Sequence, residues 1–287
     1  MSLRIGVHPS NLHLTLAQHW PGAFAGLNPE FVVYPEGRDT GRKLAEGLID
    51  VGGTGSTPPI LAQVAGLDVL YVAASSRRPA NGAILVAKNS AIKSVRDLAG
   101  RRVALLDGSF HTYLLARALE VEGLTLKDVV RDERAPIPSR DALIAGKVDA
   151  WVAMAPLLDQ TVADGGARVL VPCGETIPNR SVFWTLKQRK LSSETVDAFV
   201  AELARIGGEI AAQPDRAARI LADLKLGGVD AAAWRKAISG RDWGIAPATA
   251  PIIGEQQVEA DTLLRHGDIS ERIEVTAAMR QAPASAA

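Results

Sequence analysis

The sequence predicts an α/β protein of two similar lobes that face each other across a cleft. Three observations lead there. The first is a unit used twice. Leu44-Ala45-Glu46-Gly47-Leu48-Ile49-Asp50-Val51 runs into Gly52-Gly53-Thr54-Gly55-Ser56-Thr57-Pro58, and Leu143-Ile144-Ala145-Gly146-Lys147-Val148-Asp149-Ala150 runs into Trp151-Val152-Ala153-Met154-Ala155-Pro156. Each reads as a helix ended by a glycine, a tight turn, an aspartate, an apolar strand and a loop of small residues before proline. Gly47 and Gly146 fall where a helix C-terminus favours positive φ. The second observation is the alternation of strands with helices, which implies parallel sheets. The third is a pair of apolar stretches, Ala83 to Ala87 and Ser181 to Leu186, suited to cross from one lobe to the other and back.

The first lobe opens with an apolar strand, Leu3 to Val7, the loop His8-Pro9-Ser10-Asn11, and a helix over Leu12 to His19. Phe31 to Tyr34 is a strand, Arg42 to Gly47 a helix, and Asp50 to Gly52 a third strand. Pro58 to Ala65 is a helix whose first-turn proline sacrifices no hydrogen bond. Val69 to Ala74 is rich in β-formers. In the second lobe Ser94 opens a capped turn and Arg102 to Leu106 is a strand. Leu114, Leu115, Ala118 and Leu119 mark the inner face of a helix over Phe110 to Glu122. Ser139 is expected to cap a helix over Arg140 to Ala145, with strands at Asp149 to Ala153 and Arg168 to Val171. The remainder reads as helices with no strand between them, over Ser193 to Ala212, Pro214 to Leu224, Ala231 to Ser239 and Gly254 to Gly267. Residues 277–287 are expected to fray. The lobes are thus expected at 1–82 with 187–287, and at 83–186.

Composition bounds the function. At 287 residues the chain can bury a large core. Acidic and basic residues balance at 32 each, which argues against a nucleic-acid partner. The single cysteine excludes an intrachain disulfide and a multi-cysteine zinc site. No cofactor is implied. The N-terminal residues do not read as a signal peptide, so either a cytoplasmic protein or a mature form with a new start is expected.

The chemistry is expected at the strand-to-helix loops, where ligands of such sheets bind. Ser10 and Asn11 lie in the first loop, Gly53, Thr54, Gly55, Ser56 and Thr57 in the second, Gly108, Ser109 and Thr112 in the third. Glycines admit a ligand close to the backbone, hydroxyls donate, and helix N-termini supply unpaired amides and partial positive charge. Converging termini hold an oxyanion. For any one loop, ordinary helix capping is the simpler account; three such loops in two lobes favour a ligand. No phosphate-binding Gly-x-x-x-x-Gly-Lys sequence is present.

His8 and His111 lie in these loops and are candidates for ligand contact. His13 and His19, six apart, do not share a helix face, so they predict no metal site. Cys173 has no base nearby and reads as an incidental thiol. Trp151, Trp184 and Trp234 read as core, with Trp243 the least settled. By position alone Arg241 reads as a solvated charge.

At Gly53-Thr54-Gly55-Ser56-Thr57-Pro58-Pro59-Ile60 the chain strongly resembles the solute-binding proteins of ABC importers for aliphatic sulfonates, a group whose fold is shared by taurine and nitrate binders. Leu85 to Ile92, Val95 to Gly100, Gly108-Ser109-Phe110-His111 and Val148-Asp149-Ala150-Trp151 extend the resemblance over nearly the whole chain. It implies a type II periplasmic-binding-protein fold with a ligand cleft between lobes, a small organic anion as ligand, a membrane permease as partner, a monomeric periplasmic protein, and no catalysis. It also implies that Arg241 is the formal positive charge at the anion. The chain departs from the family pattern at His8-Pro9-Ser10-Asn11 and at Met154-Ala155-Pro156, both facing the expected site. The alternatives are enzymes on the same fold. A desulfinase-like enzyme would want a cysteine near the first loop, and a pyrimidine- or thiamine-precursor enzyme would want aromatic residues or several histidines in the cleft, whereas aromatics are 5% of this chain.

Overall fold

The computed structural model describes residues 2–280. The chain begins with β1 (Leu3–Val7), α1 (Leu12–Gln18), β2 (Pro29–Val33), α2 (Thr40–Ala45), β3 (Val51–Thr54), α3 (Thr57–Val64) and β4 (Val69–Ser75). It then forms β5 (Gly82–Ala87), β6 (Arg102–Leu105), α4 (Phe110–Val121), β7 (Val130–Glu133), α5 (Pro136–Ile144), β8 (Ala150–Met154), α6 (Leu157–Ala163) and β9 (Ala167–Pro172). It returns through β10 (Val182–Leu186), α7 (Ser193–Ala212), α8 (Pro214–Asp223), α9 (Ala231–Ser239), β11 (Ile245–Pro247) and α10 (Ala250–Arg265). The strands form two sheets, one in each lobe, in the orders β11-β4-β10-β3-β1-β2 and β7-β6-β8-β5-β9.

The repeated sequence unit is a repeated structure. Gly47 and Gly146 have φ of +74° and +66°. The amides of Gly47 and Leu48 donate to Leu44 and Lys43 carbonyls, and those of Gly146 and Lys147 to Leu143 and Ala142, the paired bonds of a left-handed helix cap. The aspartate that follows does the same work in both copies. Asp50 accepts from the Arg4 amide and Asp149 from the Arg102 amide, each at 2.9 Å. Their own amides donate back to the Arg4 and Arg102 carbonyls at 2.8 Å. Each aspartate therefore pins the start of one strand to the start of its neighbour, β3 to β1 and β8 to β6.

The sheets are mixed, where alternation alone implied parallel ones. β1, β2 and β3 are parallel, as are β6, β7 and β8, but β10 runs antiparallel to β3 and β4, and β5 antiparallel to β8 and β9. The cause is the double crossing. A strand that has just entered a lobe arrives from the hinge side and must run against strands built within it. The apolar stretches expected to be the crossings are these entering strands, central in their own sheets. β10 lies in the first sheet, so the return falls before residue 182 rather than after 186. The crossings are the segments on their hinge sides, and they run side by side. The Ser75 amide donates to the Ser181 carbonyl at 2.8 Å, that of Arg78 to Pro178 at 3.3 Å, and that of Gly174 to Pro79 at 2.9 Å.

Further differences are local. Ser139 lies inside α5, with its hydroxyl donating to the Arg134 carbonyl, because Pro136 starts that helix earlier. A strand, β11, does stand among the C-terminal helices, antiparallel to β4. Val275–Ala278 is a 3-10 turn with Ala278 buried, and Met279 bridges to Tyr71. The expected fraying thus does not start at Ala277; residues 281–287 lie outside the described residues. Trp151, Trp184, Trp234 and Trp243 are all buried.

Candidate functional site

Two arginines converge beneath the hinge. Arg78 is in the first crossing and 6% exposed. Its Nε donates to the Asn179 carbonyl at 2.6 Å and its Nη2 to Asn179 Oδ1 at 3.2 Å. Asn179, in the second crossing, takes a left-handed φ of +46°, a conformation asparagine tolerates better than most residues. Arg241 follows α9. Its guanidinium lies 4.5 Å from the Trp243 ring centroid, its Nη2 donates to His13 Nδ1 at 3.3 Å, and its Nε is buried with no partner. Trp243 is itself fixed by its Nε1 donating to the Ile238 carbonyl.

Among the described residues neither arginine has a carboxylate within ion-pair distance. Burial pushes the Arg78 guanidinium down to about 10, and Arg180 adds to that. Burial and then the Arg78 charge lower Arg241 well below its ordinary value. Burial and then Arg241 and Arg78 do the same to His13, which stands neutral. A buried charge without a counterion costs several kcal/mol, roughly, and an oxyanion brought between the two guanidiniums offsets that cost.

The expected loop residues have their hydrogen bonds arranged differently from expectation. His8 Nε2 donates to the Gly53 carbonyl at 2.8 Å, leaving Nδ1 buried without a partner, and burial pushes the ring down to about 4. Asn11 caps α1 by accepting from the Leu14 amide, while its Nδ2 is buried and unpartnered. That amide presses on Gly53, where a Cβ would lie 2.5 Å from it and 2.6 Å from the Phe183 ring. Ser10 is exposed. The Thr54 hydroxyl donates to the Gly55 carbonyl at 2.7 Å and accepts from Trp184 Nε1 at 3.0 Å. Thr57 donates to Glu259 Oε1 at 2.5 Å. Ser109 donates to the Leu106 carbonyl and accepts from the His111 amide, so it caps α4. His111 Nδ1 accepts from the Leu106 amide, its Nε2 is buried without a partner, and burial pushes the ring down to about 3.

The hydroxyl protons of Thr54, Thr57 and Ser109 are thus committed inside the protein. Unpartnered buried donors near these loops are the Asn11 amide, Arg241 Nε, His13 Nε2 and His111 Nε2, while His8 Nδ1 is an unpartnered acceptor. Sequence reasoning missed Arg78, His13 and Glu259. A signal for Glu259 existed: Ile252, Gln256, Glu259, Ala260 and Leu263 recur at helical spacing and share the buried face of α10.

Glu259 borders a small pocket between the lobes, about 10 Å³ and so room for a single water, also lined by Ser56, Asn179, Arg180, Glu255 and, from α4 of the second lobe, Tyr113. Burial pushes the Glu259 carboxyl up to about 7, against hydrogen bonds from Ser56 and Thr57. At the rim, Arg131 pairs with Asp268 at 2.6 Å, Arg265 with Glu120 at 2.8 Å, and Arg38 with Glu133. Cys173 is buried, and burial pushes its thiol up to about 11. Among the described residues no His, Cys, Asp or Glu side chains are grouped to hold a metal ion, and no helix is long and apolar enough to cross a membrane.

Residues 23–217 match the family model described as NMT1/THI5 like. The chain is 38% identical over 172 residues to an Escherichia coli (strain K12) protein named for binding aliphatic sulfonates; the match covers 59% of this chain but only 54%, about half, of that relative's length. Among solved structures, the alkanesulfonate-binding protein SsuA from Xanthomonas axonopodis pv. citri bound to MOPS is similar with a TM-score of 0.86, at 29% identity over 98% of each chain. The periplasmic aliphatic sulphonate binding protein SsuA from Escherichia coli gives 0.87 at 29% identity, over 98% of this chain and 92% of that one. The two-lobed architecture is therefore that of the periplasmic binding proteins.

Proposed function

The chain belongs to the NMT1/THI5-like family, and on that premise we propose that it is the substrate-binding component of an ABC importer that captures a small organic sulfonate. One observation carries this reading: two guanidiniums, the buried Arg78 and the half-buried Arg241, stand together with no carboxylate within ion-pair distance of either. A sulfonate spreads one negative charge over three oxygens that only accept hydrogen bonds. Planar guanidinium donors suit such a group. The Asn11 amide is a third donor. Gly53, Thr54, Ser56 and Thr57 frame the anion from the first lobe, with His8 behind Gly53 and Ser10 at the edge. Ser109 and His111 face it from the second lobe, at the start of α4. Closure brings these walls together and excludes water, and a permease reads the closed form.

The protein acts as a monomer in the periplasm and turns nothing over. Cys173 is buried with its thiol held protonated, and no described carboxylate pairs with His8, His13 or His111. The test is calorimetry and thermal shift with MOPS, 1-butanesulfonate, butanoate and nitrate. A one-to-one isotherm for a sulfonate is expected. At a hundred dissociation constants of ligand, binding adds about 2.7 kcal/mol of stability. Mass spectrometry should return the ligand intact. No shift with any sulfonate, or a desulfonated product, overturns the reading.

A further inference from the structure

Beneath the salt bridges of the rim lies a buried histidine. His266 ends α10 of the first lobe and is 4% exposed. Both of its ring nitrogens meet the second lobe. Nδ1 accepts a hydrogen bond from the Leu126 amide at 3.1 Å, at the start of the 3-10 turn Leu126–Asp128, and Nε2 lies 3.4 Å from Glu120 Oε1 on α4. A backbone amide only donates, so Nδ1 carries no proton and the neutral ring holds its hydrogen on Nε2, toward Glu120. The charged groups around the ring are engaged elsewhere. Glu120 Oε1 accepts from Arg265 Nε at 3.0 Å and Nη2 at 2.8 Å, and its Oε2 accepts from Arg117. Against the cost of burial, Arg265 and Arg117 hold the Glu120 carboxyl below its ordinary range. Asp268 pairs with Arg131 of β7 at 2.6 Å. Asp128 is held by Thr125, and Lys127 lies over Gly267, its Nζ 3.4 Å from where a Cβ would stand. Burial outweighs the pull of Glu120 and lowers the ring's affinity for a second proton, with Arg265 adding to burial and Asp268 opposing it.

We propose that His266 is a proton-sensitive clasp between the lobes: neutral, it ties α10 to the Leu126 amide and holds the cleft shut; protonated, it lets go, so that mild acid opens the cleft and releases the ligand. This rests on the lobe closure proposed above. A proton added at Nδ1 points at the hydrogen of the Leu126 amide, which sets two donors against each other and breaks the bond. Glu120 does not make up the loss, because Nε2–H already faces it in the neutral ring. Opening parts the ring from Leu126 and Glu120 together and admits water, where a histidine titrates at about 6.5. The open form therefore binds more protons below that pH, and the balance moves toward it as pH falls. A histidine that merely packed the end of α10 would be blind to closure.

The experiment is calorimetry at pH 7.5 and pH 5.5 with 1-butanesulfonate, whose charge is the same at both, on the full chain and on His266→Asn and His266→Leu. Asparagine keeps an acceptor for the Leu126 amide but does not titrate; leucine keeps neither property. Between the two pH values the wild type should lose about tenfold more affinity than His266→Asn. His8, His13 and His111 contribute alike to both proteins and cancel in that comparison. At pH 7.5 His266→Leu, which leaves the amide unmet in the closed form, should bind about tenfold more weakly than wild type. An equal pH dependence in wild type and His266→Asn overturns the clasp, as does wild-type affinity in His266→Leu at pH 7.5. Should His266→Asn fail to fold, His266→Leu serves as the arm that does not titrate. If 1-butanesulfonate does not bind, the sulfonate reading fails by itself. The clasp is then judged on the unliganded protein, with spin labels on Leu48→Cys and Lys147→Cys, exposed positions one in each lobe, while Cys173 is buried. The distance distribution between the labels should shift between the two pH values in the wild-type background and stay fixed with His266→Asn; the same behaviour in both overturns the clasp.

Discussion

His13 Nδ1 accepts a hydrogen bond from Arg241 Nη2 at 3.3 Å. A guanidinium only donates, so the direction is fixed. The proton of His13 must therefore reside on Nε2, and the ring cannot gain a second one without losing Arg241. The histidine acts as a neutral brace for a cation, with Trp243 as the floor under the same group.

Removing the brace should misplace the cation. His13→Leu is expected to weaken sulfonate binding about tenfold, and His13→Gln, which restores an acceptor, by less. Calorimetry checks this, with the thermal midpoint of the apo protein as a control for folding. Equal losses in both variants would mean that the hydrogen bond to Arg241 is not what matters.

Arg241 itself should trade stability for affinity. Loss of a hydrogen bond to a charged group costs about 1.5–3 kcal/mol, so Arg241→Met should lower affinity at least tenfold. Arg241→Lys keeps the charge but not the fork, and should lie between. Because Arg241 is half-buried with its Nε enclosed and no carboxylate within reach, the methionine variant should be more stable than wild type without ligand, by about 1 kcal/mol. Chemical denaturation of the apo proteins decides; a destabilised Arg241→Met contradicts the unpaired-charge account.

Gly53 is expected to tolerate no side chain. A Cβ there meets the Asn11 amide at 2.5 Å and the Phe183 ring at 2.6 Å. Phe183 is packed on β10 and cannot retreat freely. Gly53→Ala should cost about 1–3 kcal/mol and also displace Asn11. Gly55→Ala, with open space around its Cβ position, is the control and should fold as wild type.

Stability should peak near neutrality and fall on mild acidification. His8 and His111 titrate at about 4 and about 3 in the folded chain but at about 6.5 when unfolded. Below 6.5 the unfolded state binds more protons, so stability is lost as pH falls. Glu259 works the other way: at about 7 folded against 4.5 unfolded, it holds a proton in the native state and loses stability as pH rises through that window. Each group contributes about 1.4 kcal/mol per pH unit where it differs. Between 4.5 and 6.5 two histidines oppose one carboxyl, and buried His13 sides with them. The histidines win. Urea melts from pH 7 to pH 5 should show declining stability, more steeply in Glu259→Gln and less steeply in His111→Gln.

The architecture was largely legible because it depends on local signals. Gly47 and Gly146, each followed by its aspartate, fix two strand starts by chemistry within a few residues. What escaped was short or polar. β7, Val-Arg-Asp-Glu at the edge of its sheet, shows no apolar alternation, and β11 is only Ile245–Pro247. The site was legible as a set of loops but not as a set of bonds. Thr57 looks like a free hydroxyl until α10, two hundred residues later, delivers Glu259 to it. Arg78 sits in a run of polar residues that gives no hint of burial. Only the pairing of the two crossings, through Asn179, encloses it.

That pairing has a mechanical consequence. Two separate straps between bodies would permit twist, slip and bend alike. Here the straps are laced to each other at Ser75 with Ser181, Arg78 with Pro178, and Pro79 with Gly174. The lacing stiffens the joint against slip, because sliding one strap past the other breaks several bonds at once. Bending about the line of the straps breaks none. The joint has one soft rotation, and the lever it turns is the full depth of a lobe. Arg78 sits at the axle, where it scarcely moves, so an anion docked there is held in place while the far rim, where Arg265 meets Glu120, sweeps shut.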